Sequence, residues 1–79
     1  PSFVLARAYL DQLERSGGLA ADRVAAVRSE LDRAEGMRAG ERGDALSRLA
    51  TRLDDDARDA DDGAKVDLLR GVVRELAAM

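Results

Sequence analysis

The sequence predicts an all-α fold, a compact antiparallel bundle of four short helices. Three observations predict it. Apolar residues recur every three or four positions in four separate segments, which places them on one face of a helix in each segment. Clusters of Gly or Asp separate the segments. No stretch alternates β-branched and polar residues, and no Asn-Gly turn occurs, so strands are not expected.

The first helix is predicted from about Ser2 to Arg15. Ser2 suits the N-cap position because its hydroxyl can accept a hydrogen bond from an amide of the first turn. Gly17 and Gly18 are expected to end the helix, since glycine tolerates the left-handed conformation that closes a helix C-terminus. The predicted apolar face consists of Phe3, Ala6, Leu10 and Leu13, widened by Leu5 and Tyr9.

The second helix is predicted from about Ala20 to Arg38, with a turn near Ala39 to Gly43 because three Gly residues punctuate this stretch. Its core-facing residues are Val24, Val27, Leu31 and Ala34. A row of arginines recurs every five residues, which spirals them around the helix, so a solvated surface is favoured over an anion-binding groove. These residues are Arg23, Arg28, Arg33 and Arg38.

The third helix is predicted from about Asp44 to Ala57, with Asp44 suited to capping its start. Its apolar face consists of Leu46, Leu49, Ala50, Leu53 and Ala57. The fourth is predicted from about Asp62 to Met79, capped by Asp61 or Asp62. Its face consists of Val66, Leu69, Val73 and Leu76, broadened by Leu68 and Val72. Since each helix is apolar on one side only, the four must pack together.

Composition limits both the core and the partners. The 79 residues form one domain, 1–79, whose core must be built from 11 Leu, 6 Val and 15 Ala. A net charge of −3 argues against nucleic acid as the main partner, because phosphate binding needs a concentrated positive field. No apolar run approaches the roughly eighteen residues that cross a bilayer, so membrane insertion is not expected.

The strongest local bias is acidic, between Asp54 and Asp62. Oxygen-rich clusters attract Ca²⁺, but an EF-hand loop with Gly63 at its sixth position would need acidic residues where Arg58 and Ala60 stand. We therefore predict no metal site, although weak divalent-ion binding stays open. The three consecutive Asp are expected to finish the third helix in solvent. The acidic residues are Asp54, Asp55, Asp56, Asp59, Asp61 and Asp62.

Catalytic and cofactor sites are not predicted either. The chain has no His and no Cys, so its Ser residues have no base to activate them. Gly17 and Gly18 follow a helix rather than a strand and do not form a phosphate-binding loop. Tyr9 can serve as an interface anchor, but its spacing to Leu13 favours the edge of the core. The prediction is a protein that is not an enzyme.

The order of these segments resembles the FIMAH-type helical domain. The matching positions are Leu13, Gly17 or Gly18, Leu19, Leu31, Ala34, Glu35, Ala45, Leu49, Leu53, Ala64, Leu68 or Leu69, and Leu76. The chain departs from the family where Arg52 or Leu53 stands in place of an aromatic residue. The resemblance implies an accessory module, excised here from the C-terminal part of a larger secreted or surface-attached bacterial hydrolase or adhesin, with no catalytic residues.

The expected function is therefore a non-catalytic accessory or interaction module. It would dock through a helix face to its parent polypeptide or to another protein. An intracellular adaptor or a self-associating helical domain is the alternative, because Ala-rich helix faces allow close approach and a thin bundle gains stability by burying a further face between two copies. A weak homodimer belongs to this alternative.

Overall fold

Four helices make up the chain in the computed structural model, which describes residues 2–79; Pro1, the first residue of the predicted domain, lies outside them. The helices are α1 (Phe3–Ser16), α2 (Ala21–Glu35), α3 (Ala39–Asp59) and α4 (Gly63–Ala77), and no strand occurs among the described residues. Connections of three or four residues join them, which makes sequential helices antiparallel neighbours. The predicted four-helix bundle is confirmed.

The helices form a closed ring of neighbours. Each packs on the next along the chain, α1 also packs on α4, and the diagonal pairs α1/α3 and α2/α4 do not meet. We call the line along which two neighbouring helices pack a seam. The radius of gyration is 11.3 Å, close to the roughly 11.6 Å expected of a folded chain of this length.

The core is shared by all four helices and contains no polar or charged side chain among the described residues. At the centre of each predicted face every residue is buried, except that Phe3 and Ala57 are half-buried at the edge of the core; of the residues predicted to widen these faces, Val72 is buried, Tyr9 is half-buried, and Leu5 and Leu68 are exposed. The buried residues are Ala6, Leu10, Leu13, Leu19, Val24, Val27, Leu31, Ala34, Leu46, Leu49, Ala50, Leu53, Val66, Leu69, Val72, Val73 and Leu76.

The predicted capping residues of α1 and α4 are confirmed: Ser2 caps the start of α1, Gly17 caps its end, and Asp62 caps the start of α4. The Ser2 hydroxyl accepts a hydrogen bond from the Leu5 amide at 3.0 Å, and Asp62 accepts one from the Lys65 amide at 3.1 Å. Gly17 adopts the left-handed conformation at φ 71°, as expected of a helix C-cap. In contrast, α2 and α3 begin without a side-chain cap.

The predicted boundary between α2 and α3 is wrong. Helix α2 ends at Glu35 and α3 begins at Ala39, so Asp44 lies inside α3 and does not cap it. The glycines at 40 and 43 have no positive φ and are accommodated in the helix. A Cβ at Gly43 would lie 3.2 Å from the Ala77 carbonyl oxygen, so this glycine permits close packing against α4 rather than breaking α3.

Candidate functional site: the face shared by α1 and α4

Ion pairs bridge the seam between α1 and α2. Arg7 of α1 donates to Asp32 at 2.8 Å and to Glu35 at 2.6 Å, both on α2. In the reverse direction, Arg28 of α2 donates to Asp11 and Glu14 of α1, at 2.8 and 3.1 Å. Arg7 also lies over the Phe3 ring, 5.8 Å from its centroid.

The two seams of α3 also carry ion pairs. Arg23 of α2 makes a two-pronged pair with Asp56 of α3, through Nε at 2.9 Å and Nη2 at 3.0 Å. Arg52 of α3 pairs with Glu30 of α2. Across the seam between α3 and α4, Arg70 pairs with Asp54 at 2.6 Å. Charged side chains therefore line three of the four seams.

These pairs correct the predictions for the acidic cluster and for the arginine row. Asp54 and Asp56 were expected in solvent, yet both bind arginines of neighbouring helices, and only 13% of the Asp56 side chain is exposed. Arg23 and Arg28 are half-buried bridges rather than solvated side chains. Because the helix carries successive Asp residues to different sides, no group of three or more Asp and Glu among the described residues is placed to hold a metal ion.

The carboxylates raise the pKa of three of these arginines above its ordinary value. The hydrogen bonds that Arg7 donates to Glu35 and then to Asp32 raise its pKa, and those that Arg23 donates to Asp56 and Arg28 donates to Asp11 raise the pKa of these two residues. A group whose pKa is higher in the folded state than in the unfolded state stabilises the fold at every pH below its unfolded-state pKa. This stabilisation is lost only as pH rises through the folded-state pKa. While the partner carboxylates are ionised, the contribution of these arginines is therefore constant up to strongly alkaline pH.

The seam between α1 and α4 is different, because no ion pair crosses it among residues 2–79. A hydrogen bond from Lys65 Nζ to Gln12 Oε1, at 2.6 Å, is its side-chain link. At the end of the seam, the Asp62 amide donates to the Gly18 carbonyl oxygen at 3.0 Å. These two contacts fix the antiparallel register of α1 against α4.

Apolar side chains occupy the outside of this seam. Leu5 and Tyr9 lie on the same side of α1 as Gln12, and Leu68 and Val72 lie on the same side of α4 as Lys65. Leu5 and Leu68 were predicted to broaden the buried face, but 41% and 53% of these residues are exposed. Val72 is buried and Tyr9 is half-buried against the core, as predicted.

We call the outer surface of this seam the α1/α4 face. Between and beside the apolar side chains it presents small residues, with Arg15 and Lys65 near one end and Glu75 near the other. It consists of Leu5, Ala8, Tyr9, Gln12 and Arg15 of α1 and Ala64, Lys65, Leu68, Gly71, Val72 and Glu75 of α4.

A groove of about 380 Å³ lies at the end of the bundle where α1 begins and α4 ends, and Glu35 of α2 and Arg42 of α3 also line it. Phe3, Val4, Leu76 and Met79 supply its apolar lining. Val4 and Met79 are 77% and 74% exposed, and they complete the set of exposed large apolar side chains that begins with Leu5 and Leu68. Leu5 and Leu68 lie on the α1/α4 face, whereas Val4 and Met79 lie at the end of the bundle where this groove opens. In the part of the chain that the structure describes, exposed large apolar side chains therefore occur on this face and at this end.

The remaining grooves are open depressions beside α3. One lies between α3 and α4 and is lined by Ser47, Thr51 and Arg74 together with alanines. Another, between α2 and α3, is lined by Arg33, Arg48 and Arg52 but also contains Glu30, which pairs with Arg52. A third groove, beside the turn that follows α3, is lined by Arg23, Asp56, Asp59 and Asp61; Asp56 is paired with Arg23, and Asp59 and Asp61 are exposed. None of these grooves brings together a nucleophile and a base, or two carboxylates in a buried setting.

Sequence reasoning missed the α1/α4 face because periodicity identifies the centre of a helix's apolar stripe better than its flanks. The available signal was the width of the stripe: α1 and α4 both carry Leu or Tyr at positions beside the core residues. No helix of the described chain is long and apolar enough to span a bilayer. Comparison with protein-family models, with curated proteins and with solved structures returned no match.

Proposed function

We propose that this chain is a non-catalytic interaction module of a larger secreted or surface-attached bacterial protein, and that it docks to a protein partner through the α1/α4 face. One observation carries the docking site: two of the four exposed large apolar residues in the described chain, Leu5 and Leu68, lie on this face, and the other two, Val4 and Met79, line the groove at the end of the bundle. Apolar side chains gathered on one surface favour a protein interface, because covering them removes apolar area from water. The bacterial, extracellular setting rests on the resemblance to FIMAH-type domains.

The charge pattern supports the choice of this face over the others. The α1/α2, α2/α3 and α3/α4 seams carry paired charges that are already satisfied within the chain. Covering them with a partner would require desolvating those charges, which is costly. Leu5 and Leu68 carry no such penalty, since they lose only hydration of apolar surface.

A photo-crosslinking amino acid placed at position 68 tests the docking site in the full-length protein in its own cells. Position 48 is the matched control, because Arg48 is exposed on α3 and makes no ion pair among the described residues. We expect protein adducts from position 68 and none from position 48. Adducts of equal yield from both positions, or adducts from position 48 alone, would contradict the proposal.

The non-catalytic part of the proposal has its own test. The isolated chain is incubated with a panel of hydrolase substrates, and we expect no turnover. The decisive variants are Asp55→Asn and Asp56→Asn, which remove carboxylates from the densest acidic stretch. Turnover that is reproducible in the wild-type chain and lost in either variant would overturn this part.

A further inference from the structure

We infer that the partner of the α1/α4 face is a second copy of this chain, bound face to face in a two-fold symmetric dimer. This inference rests on the proposed role of the face as a docking surface. A two-fold interface requires a surface that is complementary to itself. If one residue of the first copy contacts a second residue of the other copy, then the second residue of the first copy contacts the first residue of the other. The α1/α4 face meets that requirement in its charges, its shape and its apolar centre.

The charges are complementary end to end. Arg15 is exposed in the last turn of α1, and Glu75 is exposed in the last turn of α4. Neither makes an ion pair within residues 2–79. Because α1 and α4 are antiparallel, these last turns lie at opposite ends of the face. A two-fold axis lies in the plane of the face, through its middle and perpendicular to the line from Arg15 to Glu75. Rotation by 180° about this axis brings Arg15 of each copy to Glu75 of the other.

The register places that axis among the apolar side chains. The Gln12–Lys65 and Gly18–Asp62 contacts put Arg15 close to the level of Ala64, which separates Arg15 from Glu75 by about 16 Å along α4 at 1.5 Å per residue. The midpoint lies near Leu68 and Tyr9. The apolar side chains of the two copies therefore meet at the axis, while the two ion pairs form at the two ends of the interface.

The shape of the face permits close approach. Small residues, namely Ala8, Ala64 and Gly71, lie beside the exposed apolar side chains of both helices, so the large side chains of a second bundle find room next to them. The molecule measures 33 × 19 × 18 Å, so one face offers about 600 Å² in projection, less than the roughly 800 Å² per partner of a standard interface. Interfaces below the standard size include many weak, transient ones, so we expect a weak dimer, with a Kd on the order of 10 to 100 µM.

The test reverses the charge of Arg15 in one variant and the charge of Glu75 in another. Sedimentation equilibrium from about 5 µM to 1 mM covers the expected range of association. We expect a reversible dimer for the wild-type chain. Arg15→Glu and Glu75→Arg should each weaken association at least about tenfold, because each places like charges at both ends of the interface. An equimolar mixture of the two variants should recover dimers, since both ion pairs form again in the mixed species.

Control variants separate association from folding. Arg33→Glu makes the same charge change in the last turn of α2, on another side of the bundle, and should leave the dimer unchanged. The helix dipole opposes Arg15→Glu and favours Glu75→Arg, so a shared loss of dimerisation does not come from a shared loss of helix stability. Leu68→Arg, at a residue already 53% exposed, should abolish the dimer and leave the circular dichroism spectrum of the monomer intact.

The outcomes distinguish this inference from the proposed function. A wild-type chain that stays monomeric to 1 mM overturns the dimer, while crosslinks from position 68 to a different protein leave the docking function standing. A dimer unaffected by Leu68→Arg and by both charge reversals also overturns the inference, because it uses another surface. Equal crosslinking from positions 48 and 68 contradicts the docking function whatever the oligomeric state.

Discussion

Helix α1 contributes to two seams that are held together in opposite ways. Toward α2 it presents Arg7, Asp11 and Glu14, which all make ion pairs. Toward α4 it presents Leu5 and Tyr9, with Gln12 as its one polar link. Exposed ion pairs contribute little to stability, but they make a wrong neighbour costly. The charged flank therefore selects which helix lies beside α1, and the apolar flank is left free to meet another molecule.

The largest effect that can test this comparison comes from matched leucine truncations. Leu13 is fully buried in α1, and Leu68 is half-exposed on the α1/α4 face. Leu13→Ala should lower the free energy of unfolding by about 2–5 kcal/mol, because it leaves a cavity in the core, whereas Leu68→Ala should cost less than about 1 kcal/mol. Urea denaturation at low micromolar concentration measures both. Similar losses for the two variants would mean that Leu68 supports the monomer rather than an interface.

The next effect tests the close backbone contact between Gly18 and Asp62 at the end of the α1/α4 seam. A Cβ at Gly18 would lie 2.8 Å from Asp62 Cβ and 2.9 Å from Leu13 Cδ2, and the Gly18 carbonyl accepts the Asp62 amide. Gly18→Ala should therefore cost about 1–3 kcal/mol of unfolding free energy. Gly40→Ala is the control, since a Cβ there meets nothing within 4 Å. Thermal unfolding should show a lower Tm for the first variant only.

A smaller effect distinguishes ion pairs across a seam from those within a helix. The Arg23–Asp56 pair joins α2 to α3 with two hydrogen bonds, whereas Arg58–Asp55 lies within α3 with both side chains about 70% exposed. Double-mutant cycles to Ala should give a coupling free energy of about 1 kcal/mol for the first pair and about 0.3 kcal/mol for the second. Equal couplings would show that bridging two helices adds nothing to the pair.

The smallest effect concerns the starts of the helices. Ser2 and Asp62 cap α1 and α4, but Ala20 at the start of α2 provides no side-chain acceptor. Ala20→Ser should raise the free energy of unfolding by about 0.5–1 kcal/mol, because its hydroxyl can accept from an amide of the first turn. Ala21→Ser, one residue inside the helix, should give no gain. A gain from both variants would point to something other than capping.

Much of the fold follows from sequence because burial in this chain obeys helical periodicity. Val24, Val27, Leu31 and Ala34 are all buried as predicted, since one-sided helices have one way to hide their apolar faces. The start of α3 was missed because glycine marks a chain break only when its backbone conformation requires it, and Gly43 instead permits close packing on α4.

The candidate site was harder to predict for a physical reason. Whether Leu5 and Leu68 are buried depends on how closely α1 and α4 approach, and periodicity along one helix does not contain that distance. The ion pairs of Asp54 and Asp56 likewise join residues 16 and 33 positions apart in the chain. From sequence these residues were expected to be solvated because they are acidic. Their partner arginines lie on other helices and come close only when the helices pack together.

Ser2 and Met79 line the same groove, so the beginning and the end of the described chain lie side by side. A short flexible linker could join them, and the chain could then be opened at any of its three turns without changing which helices pack together. Permutants opened at the α1/α2 turn or the α3/α4 turn would preserve the bundle while moving the points of attachment to its opposite end, whereas the α2/α3 turn lies at the same end as Ser2 and Met79.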